Sequence, residues 1–138
     1  MKLAVLLVIV ACTAAVVAEE DTPVATVFTA QQAEAGRSAY AKNCASCHMP
    51  DLSGNAEIPA LTGSTFTGTW RRKTTKDLRD YMSAAMPYGG PSLEPDLYTV
   101  ITAYVLQSNG AVAGEEKFTA STAVSIGEVI RKESEGGN

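Results

Sequence analysis

The sequence is poor in the side chains that usually fill a large core or bind metals. Only 7% of its 138 residues are aromatic, and it has one tryptophan, one histidine and three cysteines. A chain this short buries limited apolar area by itself. It would therefore gain stability from a large apolar group that fills its centre.

The sequence also lacks any segment with the two-residue period of a strand, any internal repeat and any low-complexity tract. Its net charge is −4, which argues against a nucleic-acid partner. The content of 46% hydrophobic and 19% charged residues is typical of one small globular domain. We therefore expect a single domain of the all-α class.

The first 18 residues have the composition of a secretory signal peptide. Lys2 precedes an apolar run over residues 3–11, and small residues lead to Ala18 just before an acidic run. We expect cleavage after Ala18, which makes the mature protein periplasmic or exported. Its net charge would be −5, because Lys2 is the only charged residue removed from a chain of net charge −4. Two alternatives keep the chain at a membrane: lipidation of Cys12, which ends a bacterial lipoprotein-like box, or an uncleaved anchor.

Capping residues and apolar spacing predict four helices, with a fifth short one near the C-terminus. Thr29 and Gln32 form a capping box, and Pro95 occupies a favourable first helical position. The predicted segments are a helix from 29 to about 42, a loop over 49–63, a short helix over 64–72, a helix from Thr74 or Thr75 to Pro87, an amphipathic helix from Pro95 to Asn109, and a turn or short helix within 123–130.

These elements predict a division of the chain into four parts. Residues 1–18 are the signal peptide and residues 19–28 a flexible segment. Residues 29–110 form the folded domain. Residues 111–138 are a C-terminal extension that packs in part on this domain.

Cys44, Cys47 and His48 form the CxxCH pattern of covalent attachment of haem c. Each thiol can add to one vinyl group of the porphyrin, and the adjacent imidazole reaches the iron from the same side. Three alternatives are weaker. A Cys44–Cys47 disulfide of a thiol oxidoreductase would need a βαβ context, a zinc site would need a fourth ligand, and His48 could be an ordinary core histidine.

The second axial position of the iron cannot be filled by another histidine of this chain, because His48 is the only one. Met49 adjoins His48 and cannot reach the opposite face of the ring. Met86, held by Pro87 at the end of a helix, is favoured over Met82, which lies on the apolar face of that helix. A thioether opposite an imidazole favours ferrous iron and raises the reduction potential. Another weak ligand or an open position is the alternative.

The chain resembles the class I c-type cytochromes over about residues 29–110. The resemblance rests on Gly36, Tyr40, the motif from Cys44 to His48, Pro59 with Ala60 and Leu61, Trp70, Met86 with Pro87, and the helix that contains Tyr104. It implies four to five helices wrapped around one covalent haem. It also implies that Gly36 and Tyr40 pack across the last helix, and that the Pro59 carbonyl accepts a hydrogen bond from His48.

Within that family the chain is similar to cytochromes associated with quinoprotein, PQQ-dependent, alcohol dehydrogenases. The similarity rests on Thr69, Trp70 and Arg71, on the turn over residues 86–91, and on the ending over 104–110. It implies that the Trp70 indole N–H bonds a haem propionate and that Arg71 or Arg72 balances its charge. The alternative is that Trp70 fills the core and the arginines are solvated.

These observations predict a single-electron carrier with one haem c and not an enzyme. Its partners would be redox proteins, among them a quinoprotein dehydrogenase or a terminal oxidase. Five basic residues within 71–79 could orient an encounter with an acidic partner, although a solvated helix face is the simpler interpretation. Two alternatives are a haem-containing subunit or docking module of a dehydrogenase or oxidase complex, and an enzyme or gas sensor with an open sixth position.

Overall fold

The computed structural model describes residues 24–130, which form six helices and no strand. The helices are α1 (Ala30–Asn43), α2 (Ala45–His48), α3 (Gly63–Trp70), α4 (Thr75–Ala85), α5 (Pro95–Ser108) and α6 (Ile126–Val129). The predicted all-α class is confirmed. The sixth helix is α2, a turn of four residues within the CxxCH motif that was not predicted, whereas α6, also of four residues, is the short helix predicted within 123–130.

Several predictions for the chain ends lie outside the described residues. They concern the signal peptide over 1–18 with Cys12, most of the segment 19–28, and the last eight residues of the C-terminal extension. Among residues 24–130, no helix combines the length and the apolar character that a membrane crossing needs.

The first helix begins at the capping box that the sequence predicts. The Thr29 hydroxyl accepts a hydrogen bond from the Gln32 amide at 3.2 Å, and the Gln32 side chain accepts one from the Thr29 amide at 3.2 Å. Two N–H groups at the start of the helix are therefore satisfied locally. The helix ends at Asn43, one residue before the CxxCH motif.

Helices α1 and α5 cross in close contact at Gly36. A Cβ atom at this position would lie 1.9 Å from the carbonyl oxygen of Val100 and 2.8 Å from Cβ of Tyr104. One turn further along α1, the rings of Tyr40 and Tyr104 pack with centroids 5.4 Å apart. This packing confirms what the family resemblance implies for these helices. The crossing fixes the end of α1, and hence the position of the motif that follows it.

The segment over residues 111–130, here called the C-terminal strap, runs back across the domain. The Gly114 amide donates to the Phe28 carbonyl at 2.8 Å, next to the start of α1. The side-chain amide of Gln32 then pairs with both backbone groups of Phe118, at 2.8 and 2.9 Å. Phe118 is buried, as are Ile126 and Val129 in α6. The strap therefore contributes to the same core as α1 and α5.

The far end of the strap binds the turn between α3 and α4. The Thr75 hydroxyl donates to the Thr122 carbonyl at 2.7 Å and accepts from the Val124 amide at 3.2 Å. The amides of Ile126 and Gly127 donate to the carbonyls of two residues in the turn, Lys73 at 2.9 Å and Arg71 at 3.0 Å. The strap thus connects the start of α1 to the α3–α4 turn.

Candidate haem site

The CxxCH motif lies on one turn that follows directly from α1. The Cys44 amide donates to the Tyr40 carbonyl at 2.8 Å, and the His48 amide donates to the Cys44 carbonyl at 2.9 Å. Cys44 is half-buried against the core, whereas Cys47 is exposed, and both thiols are free. Because the cysteines are three positions apart, the helical turn places both thiols and the imidazole in one short segment.

Burial raises the pKa of the Cys44 thiol to about 11, with a smaller contribution from the nearby Cys47. Cys44 is therefore a neutral thiol near pH 7. The attacking cysteines of thiol oxidoreductases have lowered pKa values, because the thiolate is the nucleophile. This difference counts against disulfide exchange at the motif.

The motif also does not form a zinc site. Over residues 24–130, no three His, Cys, Asp or Glu side chains are placed so that they could hold one metal ion. A structural zinc site usually takes four ligands in tetrahedral arrangement. Cys44, Cys47 and His48 therefore do not converge on a single ion.

The imidazole of His48 is oriented by a single backbone group. Its Nδ1 lies 3.0 Å from the carbonyl oxygen of Pro59, and the residue is only 9% exposed. A carbonyl oxygen can only accept, so Nδ1 carries the hydrogen and donates. In the tautomer with hydrogen on Nδ1, the lone pair lies on Nε2, which is the atom left for a metal. The hydrogen bond also makes the ring a stronger electron-pair donor to a metal through Nε2.

The carbonyl of Pro59 is held by a tight loop around Gly54. Gly54 has φ +61°, and a Cβ atom there would lie 2.7 Å from the carbonyl carbon of Pro59. Its amide donates to the His48 carbonyl at 3.0 Å. Only glycine combines this backbone conformation with such a close approach. The loop after the motif is therefore folded back onto His48.

Asn109, just after α5, anchors the other side of this loop. Its side-chain amide donates to the Leu61 carbonyl at 2.9 Å, and its oxygen accepts from the Gly63 amide at 3.2 Å. The same amide nitrogen also donates to the Val105 carbonyl at 2.8 Å within α5. The loop that contains Pro59 is thus tied to the end of the last long helix.

Met86 is the cap residue that directly follows α4, and both its amide and its carbonyl form hydrogen bonds. Its amide donates to the Met82 carbonyl at 2.9 Å, and its carbonyl accepts from the Tyr98 hydroxyl at 2.7 Å. The same hydroxyl accepts from the Leu93 amide at 2.9 Å. Tyr98 is 2% exposed, so one buried phenol holds both ends of the loop that begins at Met86.

The other two described methionines have different surroundings. Met82 packs against the hydrophobic core, as expected from its place on the apolar face of α4. Met49 is 39% exposed, and its carbonyl accepts from the Tyr40 hydroxyl at 2.7 Å. Burial raises the pKa of Tyr40 above its usual value, which keeps this donor protonated. Met86, in contrast, is half-buried and is not among the described residues that pack against the core.

Trp70 and Arg71 lie at the end of α3, where the predicted propionate contacts would be. The Trp70 ring packs edge-on against Tyr81 at 5.3 Å, and Lys73 Nζ lies 5.7 Å from its centroid. Arg71 is exposed and lines an open cavity of about 690 Å³ between the start of α3 and the end of α5. Within the described part of the chain, no hydrogen bond or ring contact joins either residue to His48.

Three positioning residues were not predicted from the sequence: Gly54 lies unnamed within the predicted loop over 49–63, and Asn109 was identified only as the end of a helix. Tyr98 gave no signal at all. Asn109 and Leu61 are 48 residues apart, and Tyr98 and Met86 are 12 residues apart. Contacts of this kind leave no local pattern in a sequence.

The donor set of the motif fits a haem. Two free thiols and an imidazole with an available Nε2 lie on one turn, beside a loop that fixes the ring orientation. Cys44 and Cys47 would hold the porphyrin, and His48 would be the ligand on the same side.

Comparison with known proteins shows which family the chain is similar to. A model of the family described as cytochrome c oxidase, cbb3-type, subunit III, matches residues 31–105, just over half of the chain. A search of curated proteins found no match. Among solved structures, the chain is similar to the sulfane dehydrogenase SoxCD from Paracoccus pantotrophus, with 24% identity and a TM-score of 0.51. The match covers 86% of this chain and 65% of that one, so this chain spans less than two thirds of the other, and the likeness concerns the fold.

Proposed function

The chain belongs to the family described as cytochrome c oxidase, cbb3-type, subunit III, which is a c-type cytochrome domain. From its family and its site we propose how it carries electrons. We propose that it transfers electrons with haem and is not itself an enzyme. In our proposal, one haem c is attached through Cys44 and Cys47 and ligated by His48 and Met86. The observation that carries the proposal is the hydrogen bond from His48 Nδ1 to Pro59, which leaves Nε2 for the iron.

Two residues position the proposed axial ligands in this proposal. When bound, the haem supplies a reversible one-electron couple of its iron. Pro59 orients the His48 ring and increases its donor strength. Tyr98 holds the backbone of Met86 and thereby limits where its thioether can lie. If Met86 and His48 both ligated the iron, the thioether would raise the reduction potential.

With His48 and Met86 in both axial positions, no substrate could reach the iron. The protein would then act as an electron carrier and would not react with a substrate. Rapid binding of carbon monoxide or cyanide to the native protein would contradict this part of the proposal, because both need an open position.

We also propose that the protein is exported, with cleavage after Ala18, and works in the periplasm or outside the cell. The basis is the apolar segment over residues 3–11 behind Lys2, and the use of cysteines in a motif typical of exported cytochromes. Its partners would be redox proteins, with a quinoprotein dehydrogenase or a terminal oxidase as donor or acceptor. Lipidation at Cys12 remains the alternative and would add the mass of lipid to a chain that starts at this residue.

A second candidate is a haem-containing subunit of an oxidase or dehydrogenase complex. It is favoured because the matching family is described as an oxidase subunit and the structural neighbour as a sulfane dehydrogenase. In that case the haem would be one relay in a fixed chain. Co-purification of the tagged, exported protein with a larger enzyme would favour the subunit over the free carrier.

The decisive experiment is spectroscopy of the full chain expressed with haem-maturation machinery. We expect the mass of one covalent haem on the exported polypeptide and the weak far-red band of ferric iron bound to a thioether. Met86→Ala should abolish this band. Met82→Ala is the matched control, and it should keep the band although it costs about 2 kcal/mol of stability through the cavity it leaves.

Two results would overturn the proposal. A mature polypeptide with the mass of bare protein would exclude covalent haem altogether. A far-red band that disappears in Met82→Ala and persists in Met86→Ala would exclude Met86 as the axial ligand.

A further inference from the structure

We propose that the basic turn, defined as Arg71, Arg72 and Lys73 between α3 and α4, is the surface on which a redox partner with a carboxylate-rich face docks. The inference rests on the proposed electron-carrier function and names the site and the chemistry of the partner. The observations that carry it are the exposure of the turn, its charge and its support by the C-terminal strap.

Among the described residues, no carboxylate forms an ion pair with the basic turn, although Asp77 lies near enough to Lys73 for their charges to interact. All three residues are exposed. The ion pairs among the described residues are Arg37 with Glu34, and Lys76 and Arg79 with Asp80, so none includes the basic turn. Three positive charges therefore stand together on a chain whose net charge is −4. Such a local reversal of sign orients the approach of an oppositely charged surface.

The backbone of the basic turn is hydrogen-bonded to the C-terminal strap. Its carbonyls at Arg71 and Lys73 accept hydrogen bonds from two amides of the strap, Gly127 at 3.0 Å and Ile126 at 2.9 Å. An antiparallel bridge joins the next residue, Thr74, to Ser125. The side chains of the turn are thus presented by a backbone that has little freedom to lose when a partner binds, which favours binding.

Aromatic residues border the charges. Lys73 lies over the Trp70 ring at 5.7 Å, and Trp70 packs against Tyr81, which is 51% exposed. Arginine, tryptophan and tyrosine are the residues most enriched at the centres of protein interfaces. Electron-transfer encounters use small interfaces, so this patch has a suitable extent.

The composition of the patch favours an acidic protein over a lipid surface. Juxtamembrane segments that bind anionic lipids usually contain four to eight clustered basic residues. The basic turn has three, and α4, which follows it, contributes cations already paired with Asp80. An acidic protein face can bind a patch with fewer basic residues, because its carboxylates can be placed to match the positions of those residues.

The test uses the haem-loaded full chain, labelled with ¹⁵N, and poly-L-glutamate as the acidic probe. At about 10 mM salt we expect amide shifts at residues 70–76 and at the strap residues behind them, which disappear at about 200 mM salt. The double variant Arg72→Gln/Lys73→Gln should bind about tenfold more weakly. The matched control Lys42→Gln/Lys117→Gln removes two exposed charges elsewhere and should change binding less than twofold.

Three outcomes would overturn the inference. The first is an equal loss of binding in both double variants, which would show that only net charge matters. The second is a set of shifted amides away from the basic turn. The third is binding to phosphatidylglycerol vesicles that depends on Arg72 and Lys73 while poly-L-glutamate fails to bind. Docking does not require reduction of the iron. If the chain bound the probe at the basic turn but could not be reduced and reoxidised, the proposed electron-carrier function would be contradicted and the docking surface would stand.

Discussion

Both proposed axial ligands are positioned by groups that lie outside their own helices. His48 is oriented by the Pro59 carbonyl 11 residues further on, and Met86 by the Tyr98 hydroxyl 12 residues further on. In each case the contact is a hydrogen bond to or from the backbone of a loop. The ligand geometry therefore depends on how these loops are folded, and single substitutions far from the iron should change it.

Tyr98→Phe tests whether the Tyr98 hydroxyl holds the Met86 loop. It keeps the buried ring but leaves the Met86 carbonyl and the Leu93 amide without their partner, at a cost of about 1–3 kcal/mol. We expect the far-red band to be lost at a lower urea concentration than the helical circular dichroism signal, because the Met86 loop opens first. Urea titration followed by both signals checks this.

The matched control is Tyr88→Phe, since Tyr88 is 93% exposed and should change neither signal. If Tyr98→Phe lost both signals together, at the wild-type midpoint, Tyr98 would have no role in holding Met86.

The helices themselves begin where local chemistry predicts. In α4, the Asp77 carboxylate accepts hydrogen bonds from the amide of Thr74 at 2.9 Å and from its hydroxyl at 2.8 Å. These bonds, the backbone one first, lower the pKa of Asp77 below its usual value. The carboxylate also lies in the first turn, where it is favoured by the helix dipole. The ionised form of Asp77 therefore stabilises the start of α4.

This arrangement predicts a pH dependence of stability. Because the pKa of Asp77 is lower in the folded state than in the unfolded state, its contribution is present above the unfolded pKa, about 3.9, and is lost as pH falls through the folded value. Asp77→Asn should be less stable than the wild type at pH 6, and this difference should shrink towards pH 3. Thermal unfolding at a series of pH values measures it.

Glu115→Gln, in the exposed part of the strap, serves as the control for the loss of one carboxylate. A difference between wild type and Asp77→Asn that stays constant from pH 6 to pH 3 would contradict the role of the ionised carboxylate.

In the molecule as a whole, the strap completes a core that α1 and α5 leave open. Phe118 is 2% exposed, and Ile126 and Val129 are fully covered. Since the strap touches both the start of α1 and the turn before α4, it stabilises the frame around the site without contacting the CxxCH motif through any described hydrogen bond.

Phe118→Ala tests this contribution. We expect it to lower the free energy of unfolding by about 3–5 kcal/mol, because a large buried ring is replaced by a cavity. The absorption spectrum at room temperature should stay that of the wild type. Chemical denaturation and spectroscopy on the same sample measure both.

Val112→Ala is the companion variant, because Val112 is 58% exposed and should change stability by no more than about 0.5 kcal/mol. A loss in Phe118→Ala as small as this would show that the strap is not part of the cooperative core.

The sequence by itself determined what depends on neighbours along the chain. Caps and stops at Thr29, Thr74 and Pro95 predicted α1, α4 and α5 to within about two residues, because these signals act within one helical turn. The CxxCH motif predicted the haem for the same reason, since the spacing of its thiols and imidazole is a local property.

Only the tertiary structure decided how the ligand loops are held and where the strap lies. The bonds from Asn109 to Leu61, from Tyr98 to Met86 and from Gln32 to Phe118 join residues that are 12 to 86 positions apart. No periodicity or cap encodes such pairs, because they depend on how elements far apart in the chain pack, as α1 and α5 do at Gly36. Whether a side chain binds its neighbour or a distant backbone group is settled by that packing.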